Sequence, residues 1–233
     1  IKFPPKDFVR EEEDTVETSA KNSLIDFTVR ETTQTWQFYV IWVAFAFGSG
    51  AGLMVIGNLA SIVKDQIGLP ALTAIAVSAL AIGNGGGRVL YGMLSDKIGR
   101  TNVLIIAFLV QALLISALFF MGANSVLANP PVLLIFVALI GANYGANLAV
   151  FPALMKVFYG PKNLATNYGI AYTAWGLGGF MVSQLASTIK DATGSFDNAY
   201  LLAAAMLILA AGLTISLKSP QAKKAAADKL RAQ

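Results

Sequence analysis

Arg88 is the residue of this chain whose chemistry demands most of its surroundings. It follows Gly83-Asn84-Gly85-Gly86-Gly87 and precedes Val89-Leu90, within a long apolar run. A guanidinium offers planar, paired donors that match a carboxylate, and it stays charged in any environment. In a membrane such a group is expensive and marks a functional site by default. All 13 Asp and Glu lie outside the apolar runs, so none of them is an obvious counter-ion. Two readings follow. Arg88 either snorkels to the lipid headgroups or holds an anion brought by another part of the protein or by a cargo. The small residues beside it let another helix or a substrate approach the backbone closely.

Further polar groups are spaced for a common face. Asn143 and Asn147 stand at i and i+4 with Tyr144 beside them, which places the two amides on one side of a helix. They either hydrogen-bond between helices or touch substrate. Tyr168, Tyr172 and Trp175 have helical spacing too, and such a stripe is either packing or cargo contact. Gly48, Ser49 and Gly52, and later Gly176, Gly178 and Gly179, are patterns for close helix approach or bending. The chain has no His and no Cys. The usual general base, the thiolate nucleophile and the common transition-metal ligands are therefore missing, and neither an enzyme, a metal site nor a cofactor is expected.

These residues need elements to position them, and hydropathy supplies six. With 56% hydrophobic and 13% charged residues, the chain is far more apolar than a soluble domain. The apolar residues fall into stretches at 37–61, 71–94, 103–122, 131–154, 165–189 and 198–217. Each is close to the roughly 20 residues a helix needs to cross a bilayer. The stretches are continuously apolar rather than alternating, which predicts an all-α membrane protein and excludes a β-barrel. Arg88, six residues before the end of the second stretch, is placed roughly 9 Å inside the membrane.

Charge orients the bundle. Lys2, Lys6, Arg10, Lys21 and Arg30 precede the first stretch, Lys97 and Arg100 follow the second, Lys156 and Lys162 surround the end of the fourth, and Lys218, Lys223, Lys224, Lys229 and Arg231 lie in the tail. The other side holds only Lys64 and Lys190. This positive-inside asymmetry predicts that both termini of the segment face the cytoplasm. Cations divided among short loops give no nucleic-acid surface. Residues 1–35, with Pro4-Pro5 and the acidic run Glu11–Asp14, have linker composition. Leu24, Ile25, Phe27 and Val29 are expected to form a short amphipathic piece on the membrane surface. Residues 36–217 form the bundle and 218–233 a basic tail. Pro152 is expected to kink the fourth helix.

The loop Gly92-Met93-Leu94-Ser95-Asp96-Lys97-Ile98-Gly99-Arg100-Thr101 resembles the signature loop of the major facilitator superfamily, G-x-L-x-D-(R/K)-x-G-(R/K)-(R/K), with Thr101 in place of the last basic residue. The resemblance implies that the six spans correspond to helices 7 to 12 of a twelve-helix carrier, the C-terminal half, with residues 1–35 as its central loop. An N-terminal six-helix half then supplies the rest of the cavity. Gly92, Asp96, Lys97, Gly99 and Arg100 become signature-loop or gating residues, or simple topogenic charges. Asp96 would either cap the helix that follows or pair with a basic loop residue.

Lys2-Phe3-Pro4-Pro5, Gln37-Phe38-Tyr39, Ala51–Asn58, Gly87–Gly92 and Tyr172-Thr173-Ala174-Trp175-Gly176 are similar to the oxalate/formate antiporter family and, more distantly, to the monocarboxylate transporters. That likeness implies a carrier of a small organic anion in the bacterial plasma (inner) membrane, coupled to a proton or a counter-anion. It assigns Arg88 to the substrate carboxylate and brings Asn84, Asn143, Tyr144, Asn147, Tyr172 and Trp175 forward as further contacts. Oxalate-specific members carry a lysine where this chain has Trp175. One cation suits a monocarboxylate better than a dianion.

Overall fold

A computed structural model describes residues 24–121, 125 and 129–225. The acidic run, the first 23 residues of the expected linker and the end of the basic tail lie outside the described residues. After a short helix α1 (Val29–Thr33), six long helices follow: α2 (Trp36–Ile67), α3 (Thr73–Ile98), α4 (Arg100–Phe119), α5 (Pro130–Tyr159), α6 (Leu164–Thr193) and α7 (Asp197–Ile215). Each coincides with one of the six apolar stretches. Several run a turn or more beyond it, because a helix continues past the hydrocarbon into the headgroups. Thus α2 takes in Lys64 and Asp65, and ends on Gly68 at φ 70°, a left-handed turn that glycine adopts without strain.

Five of these helices are long and apolar enough to cross a membrane. The exception, α6, has the length at 30 residues but is diluted by Gly, Thr, Ser and Gln. Three of its polar residues, Thr173, Ser187 and Lys190, bond to α2. Pro152 lies inside α5, which remains a single helix from Pro130 to Tyr159.

The helices associate in pairs: α3 on α5, α2 on α6 and α4 on α7. Without a hydrophobic drive inside lipid, close backbone packing has to hold such pairs, and glycines provide it here. A Cβ at Gly83 or Gly87 of α3 would strike the carbonyl of Ala138 or Ala142 of α5, and one at Gly141 or Gly145 of α5 would strike the carbonyl of Leu80 or Asn84. Glycines at i and i+4 on both partners thus bring the two backbones together. The α2–α6 pair uses Gly50 and Gly178 in the same way and adds polar ties along its length. Trp42 Nε1 donates to Thr173 Oγ1 at 3.0 Å, Ser187 Oγ to Asn58 Oδ1 at 3.4 Å, and Lys190 Nζ meets Asp65 Oδ2 at 2.5 Å. The α4–α7 pair joins two helices that each bury one face, α4 with Val103 and Ile115 and α7 with a row of alanines, while Phe108 of α4 is turned to Gly48 and Phe151.

Residues 24–35 depart from the expected membrane-surface piece. They form a strap across the ends of α5 and α6. Phe27 is buried, its N–H donates to the Tyr159 carbonyl at 2.9 Å, and its own carbonyl accepts from Asn163 and Asn167 at 3.0 and 3.1 Å. Asp26 Oδ1 accepts the Lys162 N–H at 2.9 Å. The tail closes over the strap. Gln221 bonds both backbone groups of Ile25, and Lys224 donates to the Asp26 carbonyl, lies over the Phe27 ring at 4.4 Å and pairs with Glu31 at 2.7 Å. The apolar side of the strap faces protein rather than lipid because these partners satisfy its backbone, which lipid would leave unpaired.

Glu31 also closes a capping box with Thr28 at the start of α1. The Lys224 ammonium, followed by the Thr28 N–H, holds the Glu31 carboxyl down at about 2, below its ordinary 4.5. A carboxyl whose value is lowered by folding stabilises the strap fully above pH 4.5 and loses that contribution as pH falls through about 2. Amide exchange across residues 24–35 should therefore accelerate between these limits, and Glu31→Gln should remove that acid step.

Candidate substrate site

Arg88 lies on the open side of α3. Only 17% of the apolar stretch of α3 is buried, against 44–61% for the other four apolar helices, so one face of it is left to lipid or to another part of the protein. The helix continues to Ile98, ten residues beyond Arg88, so the guanidinium starts about 15 Å from the helix end, whose last turn lies past the apolar stretch. The side chain also runs the wrong way for snorkelling. Arg88 Nε donates to Asn84 Oδ1 at 3.2 Å, one turn back toward the membrane centre. This bond occupies Nε and leaves the two terminal nitrogens as donors. Among the described residues no carboxylate pairs with Arg88.

The backbone of Gly145 packs against Asn84 and the Arg88 N–H, which brings Tyr144 to the same level. Tyr144 is buried and stands one position before Gly145, the residue whose backbone meets Arg88. It accepts a hydrogen bond from Trp175 Nε1 at 2.8 Å. Trp175 in turn stacks on Tyr172, with ring centroids 5.3 Å apart and planes at 12°. Tyr172 continues the aromatic run to Tyr168 and to Phe45 of α2. One guanidinium, one phenol and an aromatic wall from α3, α5 and α6 therefore meet at one depth. Phe45, itself stacked on Phe151, supports the wall from behind, and no local spacing pointed to it.

The two asparagines on the neighbouring face of α5 are used differently. Asn143 is buried, accepts the Tyr91 hydroxyl at 2.7 Å and donates to the Leu139 carbonyl at 2.9 Å, so it ties α5 to α3. Asn147 is buried as well; its amide reaches back to the Asn143 carbonyl at 3.5 Å, while its Oδ1 faces the backbone of Gly48. Of the two alternatives open for these amides, Asn143 takes part in interhelical bonding, and the amide of Asn147 bonds within its own helix.

At the other end of α3 the signature loop forms a tight corner. Ser95, Asp96 and Lys97 still belong to α3, Gly99 turns the chain at φ 93°, and Arg100 opens α4. Arg100 reaches back to both Ser95 Oγ and the Asp96 carboxylate. Asp96 thus pairs with a basic loop residue and does not cap α4, whose N-cap is Gly99 without a side-chain cap. Capping fails because Asp96 is still inside the preceding helix. Lys97 is exposed, and a Cβ at Gly92 would meet open space.

The model of the Major Facilitator Superfamily matches residues 41–232. The chain belongs to that superfamily. The match takes in all six long helices, the signature loop and the wall around Arg88. The MFS-type transporter YhjX of Escherichia coli K12 is 34% identical over 154 residues, 66% of this chain and 37% of the relative. The oxalate:formate antiporter of Oxalobacter formigenes is 28% identical over 192 residues, 81% of this chain and 44% of the relative. The minor myo-inositol transporter IolF of Bacillus subtilis 168 is 31% identical over 172 residues, covering 73% and 36%. The chain spans less than half the length of these relatives. It is an integral membrane protein with the size and helix content of half a superfamily carrier.

Proposed function

We propose that this half belongs to a secondary carrier that moves a small organic anion, a monocarboxylate in preference to a dianion, by alternating access between two six-helix halves. The observation that carries this reading is the direction of Arg88: a guanidinium turned toward the membrane centre, braced by Asn84, and paired with no carboxylate among the described residues. Its terminal donors suit one carboxylate group, and Tyr144 adds a hydroxyl beside them. Similarity to an oxalate:formate antiporter agrees with an anionic cargo. Trp175 fills space with an apolar ring and no charge, which favours a cargo with one anionic end. The second half, a coupled proton or counter-anion, and a plasma-membrane setting with the strap end in the cytoplasm complete the proposal. In it, the Asp96–Arg100 pair locks the corner that has to move when the cytoplasmic side opens.

Similarity to a myo-inositol transporter makes a neutral polyol the competing cargo. Proteoliposomes containing the complete two-half protein separate the two. Labelled formate, lactate and oxalate should include a substrate whose uptake saturates, with a monocarboxylate ahead of oxalate, and labelled myo-inositol should not be taken up. Saturable inositol uptake with no anion uptake would replace the proposal.

A further inference from the structure

We infer that Trp175 is a positioning residue that commits the Tyr144 hydroxyl to donate toward the anion on Arg88, and thereby makes this a site for acceptor-only ligands. The inference rests on the carboxylate reading given above and adds a specific device to it.

The polarity of the Trp175–Tyr144 contact is fixed by chemistry. An indole N–H can only donate, whereas a phenol can donate or accept. The 2.8 Å contact therefore runs from Trp175 Nε1 to the Tyr144 oxygen. The proton of that hydroxyl has to point elsewhere, and no acceptor for it occurs among the described residues. Both partners are held in place. The Tyr144 ring rests on the backbone of Gly52, where any Cβ would collide with it, and Trp175 is stacked on Tyr172. Only the hydroxyl rotor is left to choose, and Trp175 takes away the orientation in which the oxygen would receive a bond from cargo.

Asn84 Oδ1, the acceptor beside Arg88, already receives its Nε–H, so a ligand donor would have to share that oxygen with the cation. What remains open is a set of donors: the terminal nitrogens of Arg88 and the Tyr144 hydroxyl. A carboxylate only accepts, so it satisfies all of them. A polyol or an amide brings donors of its own that find no partner, and an unmade hydrogen bond in a dry site costs more than a made one returns. Accepting from Trp175 also polarises the phenol and strengthens its donation.

The test is a double-mutant cycle in the complete protein, reconstituted in proteoliposomes and measured with labelled formate or oxalate, whichever is taken up faster, since neither anion carries a donor. Trp175→Phe and Tyr144→Phe should each raise KM about tenfold with kcat near that of the parent, as expected for one hydrogen bond to an ion. The double variant should be no worse than Tyr144→Phe alone, because Trp175 acts through that hydroxyl. Effects that multiply, or an unchanged KM for Trp175→Phe, overturn the inference. If Trp175→Phe does not fold, 3-benzothienylalanine at position 175 keeps the ring shape and removes only the N–H, and the same KM criterion applies. Arg88→Ala separates this from the parent reading. Retained uptake there, or no uptake of formate, lactate or oxalate by the parent protein, removes both claims. Lost uptake with a multiplicative cycle, or uptake of lactate alone by the parent protein, removes only the role of Trp175.

Discussion

Arg88→Ala should abolish anion uptake by the complete carrier while leaving it folded. Truncating one partner of a hydrogen-bonded charge pair costs about 2–5 kcal/mol once the bound cargo shuts water out, which corresponds to roughly a thirtyfold to several-thousandfold loss of affinity. Stability should barely change, since Arg88 is exposed and its hydrogen bond is to Asn84 of its own helix. Substitutions at such positions usually stay within about 0.5 kcal/mol. Arg88→Lys should fall between the two, keeping the charge but losing both the paired terminal donors and the Nε bond to Asn84. Uptake kinetics and a thermal melt in detergent check both variants. Unaltered uptake in Arg88→Ala takes this residue out of the site.

Gly87→Ala should destabilise the bundle. Its Cβ would strike the Ala142 carbonyl of α5, and backbone cannot move aside as a flexible side chain can. Overpacking of this kind costs about 1–3 kcal/mol, and here it would separate the pair that places Arg88 beside Tyr144. The adjacent Gly86→Ala is the built-in control, because nothing lies within 4 Å of a Cβ there. The thermal midpoint in detergent should drop for Gly87→Ala and remain unchanged for Gly86→Ala. Equal midpoints would mean that α3 and α5 are not held together by their glycines.

The helices and the central cation were legible in the sequence for the same reason: both are set by the cost of moving groups from water to hydrocarbon. Apolar runs announce spans, and a lone guanidinium inside one is conspicuous. The end of α3 lies beyond the apolar stretch because the helix continues through Ser95, Asp96 and Lys97, polar residues that hydropathy assigns to a loop but that a helix end carries readily into the headgroups. Helical spacing put Asn143 and Asn147 on one face of α5 but left open what that face met. The answer depended on Gly83, Gly87, Gly141 and Gly145, which dock α3 so closely that Tyr91 reaches Asn143. Tyr144, one position along, is turned toward Trp175 instead.

The strap was out of reach for a different reason. Phe27 finds its partners at Asn163 and Asn167, and Ile25 finds its own at Gln221, more than 130 residues away in each case. No local window contains that information. Leu24 to Thr35 reads as linker, since its few apolar side chains cannot offset the entropy of ordering by themselves. Contacts with α5, α6 and the tail supply the difference.

That docking also bears on how far apart two halves can drift. Twelve residues, Leu24 to Thr35, are stitched to this bundle, and extended they would span about 40 Å. In the two-half carrier proposed above, a tether through these residues would be shorter by that amount, and each half would meet the other at a higher effective concentration. Acid strong enough to neutralise Glu31 would lengthen the leash.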